Sequence, residues 1–91
     1  MVRVVFTAAL RSATAGEANF DLQFTGELSS LFSILKERYG ETFERRLFEN
    51  GGLKRYVNVY VDGKDVRFLS GQKTPVSGDS EVLFIPAVSG G

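Results

Sequence analysis

The feature that most constrains this chain is a double change of hydrophobic period within 91 residues. Ala18, Phe20, Leu22 and Phe24 alternate with Asn19, Asp21, Gln23 and Thr25, the period of two expected of a half-buried strand. Leu28, Leu31, Phe32 and Leu35 then fall at i, i+3, i+4 and i+7, the stripe of an amphipathic helix. In "RYVNVYVDGKDVRF" the period returns to two, with Val57, Val59 and Val61 on one side. A chain that switches from strand to helix to strand over such short distances specifies an α+β domain with its helices on one face of a sheet.

Local signals fill in the plan. Val2 to Thr7 is β-branched and aromatic, so it reads as a first strand that forms a hairpin with the second across the turn-rich stretch Ser12 to Ala18. Thr25 or Gly26 is expected to cap the helix and Gly40 to stop it. Phe43, Leu47 and Phe48 predict a short second helix ending near Asn50-Gly51-Gly52, read as a loop. Asp62-Gly63 favours a tight type I′ turn between a third and a fourth strand. The stretch from Ser70 to Asp79 reads as a loop containing Pro75, and the last strand, Glu81 to Ile85, is expected to end at Pro86, which has no backbone donor. A hairpin, a crossing helix and further strands describe a β-grasp, although periodicity alone leaves other α+β topologies open. The expected division is a β-grasp domain over residues 1–86 and a flexible Gly-Gly tail over 87–91.

Composition excludes several functions. Eleven basic residues balance eleven acidic ones, so no overall charge drives non-specific binding to nucleic acid. Cysteine and histidine are both absent, which removes disulfides, thiolate nucleophiles and the commonest zinc ligands; no metal site is expected. The start, "MVRVVFTAAL", is too short an apolar run for a secretory signal, and no stretch approaches the ~20 apolar residues of a membrane span. The expectation is a cytoplasmic protein with no membrane partner.

The chain resembles the ubiquitin-like sulfur carriers along essentially its whole length. Similarity is densest in "RYVNVYVDGKDVRF" (Arg55 to Phe68), in the "SGD" turn (Ser77 to Asp79) and in the closing "PAVSGG" (Pro86 to Gly91). That family includes the thiamine-thiazole carrier, the small subunit of molybdopterin synthase and the carriers of amino-acid biosynthesis. The cysteine-biosynthesis branch is the most similar, since it combines the long third-strand hairpin with a Pro-Ala-Val-small-Gly-Gly end; archaeal small modifiers are similar too. The resemblance implies a β-grasp fold and a protein co-substrate rather than an enzyme. Its Gly91 carboxyl would be adenylated by a ubiquitin-activating-like adenylating and sulfurtransferase enzyme, converted to a thiocarboxylate, and presented to a sulfur acceptor, in this branch a cysteine-synthase-like enzyme. Alternatives within the same likeness are a modifier joined through Gly91 to lysines of other proteins, and the molybdopterin-synthase or thiazole role.

The residues themselves make that chemistry reasonable. Pro86, Ala87, Val88, Ser89, Gly90 and Gly91 could span roughly 20 Å at the ~3.3–3.6 Å per residue of an extended chain. Glycine lacks a Cβ, so Gly90 and Gly91 suit a channel too narrow for side chains. The competing explanation is a frayed end without a role. A terminal carboxyl with an ordinary pKa near ~3.5 is an anion at neutral pH and a poor electrophile, so it needs activation. None of the glycines forms a phosphate-binding loop with its lysine; this chain is therefore expected to bind no cofactor, and ATP to be used by the activating enzyme. Phe68 and Leu69, with Arg67, follow the Asp62-Gly63 hairpin and are candidates for partner docking; core packing is the alternative for such aromatics. Lys54, Arg55, Arg67 and Lys73 either steer an acidic partner or form a solvated face. Asp62, Asp65 and Asp79 could suggest paired carboxylates, but two of them sit in turns, where aspartate is favoured for local hydrogen bonding, so no acid–base role is assigned to them.

Overall fold

A computed structural model describes residues 1–86. In chain order its elements are β1 (Val2–Phe6), a 3₁₀ turn (Ala8–Ala13), β2 (Asn19–Leu22), β3 (Gly26–Glu27), α1 (Leu28–Tyr39) and α2 (Glu41–Leu47). There follow β4 (Phe48–Glu49), β5 (Gly52–Leu53), β6 (Val57–Val61), β7 (Lys64–Asp65), 3₁₀ turns at Val66–Phe68 and Gly71–Lys73, β8 (Pro75–Val76) and β9 (Glu81–Pro86). The main sheet has the order β2-β1-β9-β6-β7. Its ladders are antiparallel except β1 with β9, so the first and last long strands lie side by side at the centre. This is the mixed sheet of a β-grasp, crossed on one face by α1.

Alternation along each strand decides which side chains meet the helix. Val2, Val4 and Phe6 of β1, Val82 and Phe84 of β9, and Val57, Val59 and Val61 of β6 are buried on the inner face. Leu28, Leu31, Phe32 and Leu35 of α1 close over them. Phe84 is the hub: its ring lies 5.3 Å from Phe6, 5.9 Å from Phe32 and 6.5 Å from Phe43, centroid to centroid. Tilted and edge-on aromatic contacts of this kind add to the stabilisation from area burial alone. Among the described residues, no helix is long and apolar enough to cross a membrane.

Four local expectations need correction. Glu27, not Thr25 or Gly26, is the N-cap of α1, and its side chain makes no capping bond. Gly26 and Glu27 are drawn into an antiparallel pair with Val76 and Pro75, and the Leu28 N–H donates to the Thr74 carbonyl (2.9 Å), so a short strand does what a capping side chain would have done. Asn50-Gly51 is the turn of a small hairpin between β4 and β5 rather than an unstructured loop; Asn50 at φ 51° and Gly51 at φ 82° match Asp62 at 52° and Gly63 at 83° in the predicted hairpin. The stretch after Ser70 is a 3₁₀ turn and β8. Pro86 lies within β9, opposite Val57. The β1 register stops at Phe6 beside Phe84, so beyond that point β9 has a neighbour on one side only, and a missing donor there costs little.

Candidate functional site

Two features of the described residues offer apolar surface outside the core. The first is the outer face of the sheet. Strands β1 and β9 carry apolar residues at both parities, so Val5 and Leu83 point away from the core and stay partly exposed. Register aligns Val5 with Leu83 and Leu83 with Tyr60, making an apolar row across three strands. Next to it, towards the end of β9, Ile85 faces Asn58. On the other side the row is bounded by charge: Asp21, Arg3 and Glu81 are register partners, and Arg3 Nε donates to Asp21 at 3.1 Å.

The second feature is the turn after β7. Phe68 is 86% exposed and Leu69 43% exposed, so neither is spent on the core. Asp65, almost buried, builds this turn: its Oδ1 accepts the Arg67 backbone N–H at 2.9 Å, and its Oδ2 accepts from Arg67 Nη2 at 2.7 Å. Those bonds from Arg67 hold the Asp65 carboxyl below its ordinary range. Of the three residues expected to dock a partner, Phe68 and Leu69 therefore present free surface. Arg67 is engaged with Asp65 although its side chain remains 61% exposed. Sequence reading passed over Asp65 as a positioning residue; the signal was the Asp-x-Arg spacing directly after a hairpin.

Beside this turn is an open cavity of about 310 Å³. Its floor includes Leu28, Phe32, Val57 and Val66, and Lys54, Arg55 and Arg67 also line it. The structure thus brings together three of the four cations grouped in the sequence; Lys73 does not line the cavity. Asp62 and Asp79 sit in turns, but their side chains bond across the chain rather than locally. Asp62 Oδ1 accepts the Glu81 N–H at 2.9 Å, and Asp79 Oδ1 accepts from the Met1 ammonium at 3.1 Å. Ala87, Val88, Ser89, Gly90 and Gly91, the expected threading and sulfur-attachment residues, lie outside the described residues; Pro86 is the last one placed.

A β-grasp whose final strand runs beside its first and leads into Gly-Gly is the architecture of the ubiquitin-like proteins. Residues 4–91 match the ThiS family, and the chain belongs to it. The sulfur carrier protein CysO of Mycobacterium tuberculosis is 34% identical over 93 residues, covering 99% of this chain and 98% of its own. In the crystal structure of the Amycolatopsis orientalis BexX/CysO complex, a chain matches over the full length of both with a TM-score of 0.87 and 30% identity. The solution structure of small archaeal modifier protein 1 from Methanosarcina acetivorans matches 99% of this chain and 95% of its own, with a TM-score of 0.83 and 28% identity.

Proposed function

We propose that this ThiS-family sulfur carrier holds its cargo on the Gly91 carboxyl as a thiocarboxylate and delivers it to an acceptor enzyme making cysteine or a related sulfur amino acid. The observation that carries the reading is the end of β9: Pro86 is the last residue of a central strand, and the sequence after it contains Gly90-Gly91. Near-full-length similarity to a CysO sulfur carrier supports the choice of chemistry and of acceptor.

The domain does not catalyse the steps; it supplies their substrate atom. In the adenylating partner, a Gly91 carboxylate oxygen attacks the α-phosphorus of ATP, pyrophosphate leaves, and the acyl-adenylate forms. Hydrosulfide from the sulfur source then attacks the Gly91 carbonyl carbon, the bond to AMP breaks, AMP leaves, and loss of a proton gives the thiocarboxylate. Adenylation converts an anion that repels nucleophiles into an acyl group with a good leaving group. Because Pro86 belongs to β9, the five residues 87–91 could give this carbon a reach of about 17 Å from the sheet if extended. The absence of cysteine means that no internal thiol competes for the activated acyl group. Phe68, Leu69 and the Arg67 side chain, with the Val5-Leu83-Tyr60 row, supply exposed surface for docking on the partners.

Incubation with the adenylating enzyme of the same organism, ATP and a sulfur source, followed by mass spectrometry, should show one oxygen replaced by sulfur at Gly91. Wild type and a Gly91 deletion behaving alike would refute the reading. Likeness to a small archaeal modifier favours a second reading, in which Gly91 ends in an isopeptide bond to lysine. Tagged protein in cell extract separates the two: a ladder of heavier covalent conjugates marks the modifier, a free sulfur-bearing chain the carrier.

A further inference from the structure

The cavity between α1, β6 and the Val66–Phe68 turn is a socket for a specific kind of anchor. Its floor is apolar, with Leu28, Phe32, Val57 and Val66 all buried, while its mouth is cationic. Apolar cavities of roughly 150 Å³ already admit a benzene ring, so about 310 Å³ accepts a phenyl or isobutyl group with room to spare. Around the mouth, the Asp65 carboxylate is matched by Arg67. Lys54 and Arg55 make no ion pair among the described residues; the Lys54 ammonium lies 6.0 Å from the Tyr56 ring centroid. Uncompensated positive charge over an apolar floor selects a ligand with an apolar body and carboxylates beside it.

Position says what kind of molecule brings that group. Val57 lines the cavity and is also the register partner of Pro86, so one wall of the cavity is the strand next to the end of β9. Phe68, in the same 3₁₀ turn as the cavity-lining Val66 and Arg67, does not line the cavity itself and is an exposed apolar collar residue one position away. A metabolite filling the hole would leave that collar bare, whereas a peptide segment would cover both. We infer that the cavity is a docking socket for an acidic segment of a partner protein, which inserts one Leu or Phe side chain between α1 and β6 and sets its carboxylates against Lys54 and Arg55. Assigning that partner as the enzyme that receives the tail rests on the carrier reading; the socket's chemistry does not.

The test uses the full ¹⁵N-labelled chain and the synthetic peptide acetyl-Asp-Glu-Leu-Phe-Asp-amide, with acetyl-Asp-Glu-Gly-Gly-Asp-amide as control. Saturable shifts are expected at Leu53, Val57, Val66 and Gly71 with the first peptide only. Binding should weaken at least tenfold in a Lys54→Glu/Arg55→Glu variant that keeps the wild-type Tm, and weaken as salt is raised. No saturable shift, shifts confined to the outer face at Leu83 and Tyr60, or equal binding of the glycine peptide would overturn the inference. In the adenylation assay the same variant should raise KM for the carrier roughly tenfold with kcat kept. An unchanged KM while sulfur still reaches Gly91 sinks the assignment of the partner and leaves the carrier reading standing. Peptide binding without any product on wild-type Gly91 sinks the carrier reading and leaves the socket.

Discussion

Two phenylalanines make opposite demands on this domain, and separating them tests the division between core and surface. Phe84 is fully buried at the centre of β9 with three aromatic rings around it. Truncation to Ala removes a side chain that buries on the order of 150–250 Å². At ~25 cal/mol per Å² that area corresponds to about 4–6 kcal/mol, in line with the ~3–5 kcal/mol measured for such core truncations. A domain of 91 residues has a total stability of about 5–14 kcal/mol. Phe84→Ala should therefore lower Tm by at least about 12 °C, given ~4–8 °C per kcal/mol at this size. Phe68→Ala, at 86% exposure, should stay within about 0.5 kcal/mol of wild type. Its effect belongs in partner engagement: KM for the carrier in the adenylation assay should rise roughly tenfold, about 1.4 kcal/mol, with kcat unchanged. Urea and thermal melts followed by far-UV circular dichroism measure the first pair of outcomes, and steady-state kinetics the last. A Tm loss below about 5 °C for Phe84→Ala, or a Phe68→Ala variant that unfolds early and docks normally, would show the packing account to be wrong.

Further outcomes follow from single sites. Gly40 closes α1 at φ 83° and ψ −160°, and a Cβ there would touch nothing within 4 Å, so Gly40→Ala should cost roughly 1–3 kcal/mol from backbone conformation alone, read from a urea melt. Deleting Gly91 should abolish the sulfur-bearing species without changing Tm. Burial, aided by the hydrogen bond to Glu17, pushes the Tyr39 hydroxyl up to about 12. Its folded pKa is above the ordinary ~10, so this contribution to stability is complete below pH ~10 and is lost as pH rises towards 12. Glu17→Gln should bring the Tyr39 phenolate transition to lower pH in an ultraviolet absorbance titration. For Asp65, whose carboxyl is held low by Arg67, the sign reverses: stability is present above the ordinary carboxylate range and is lost as pH falls through the folded value. An Asp65→Asn variant should accordingly show a shallower loss of Tm on acidification, together with a looser Val66–Phe68 turn.

The long periodic stretches were legible because each element's burial is written in its own spacing. Val57, Val59 and Val61 had to share a face, and Leu28 to Leu35 had to form a stripe, whatever they packed against. Short elements were less so. Asn50-Gly51 carries the same turn signal as Asp62-Gly63, but its flanking strands are two residues each, too short to show a period. The helix cap was misplaced for a different reason: the partner of Gly26 and Glu27 is Pro75–Val76, far away in sequence.

The sequence by itself therefore determined the α+β plan and the identity of the inner face, since these depend on local periodicity. Only the tertiary structure decided that β1 and β9 lie in parallel, that Val5, Leu83 and Tyr60 form one partly exposed row, and that Lys54, Arg55 and Arg67 line one cavity over Leu28, Phe32, Val57 and Val66. Those facts are juxtapositions across the chain, and they exist only once long-range burial has fixed which strand lies next to which.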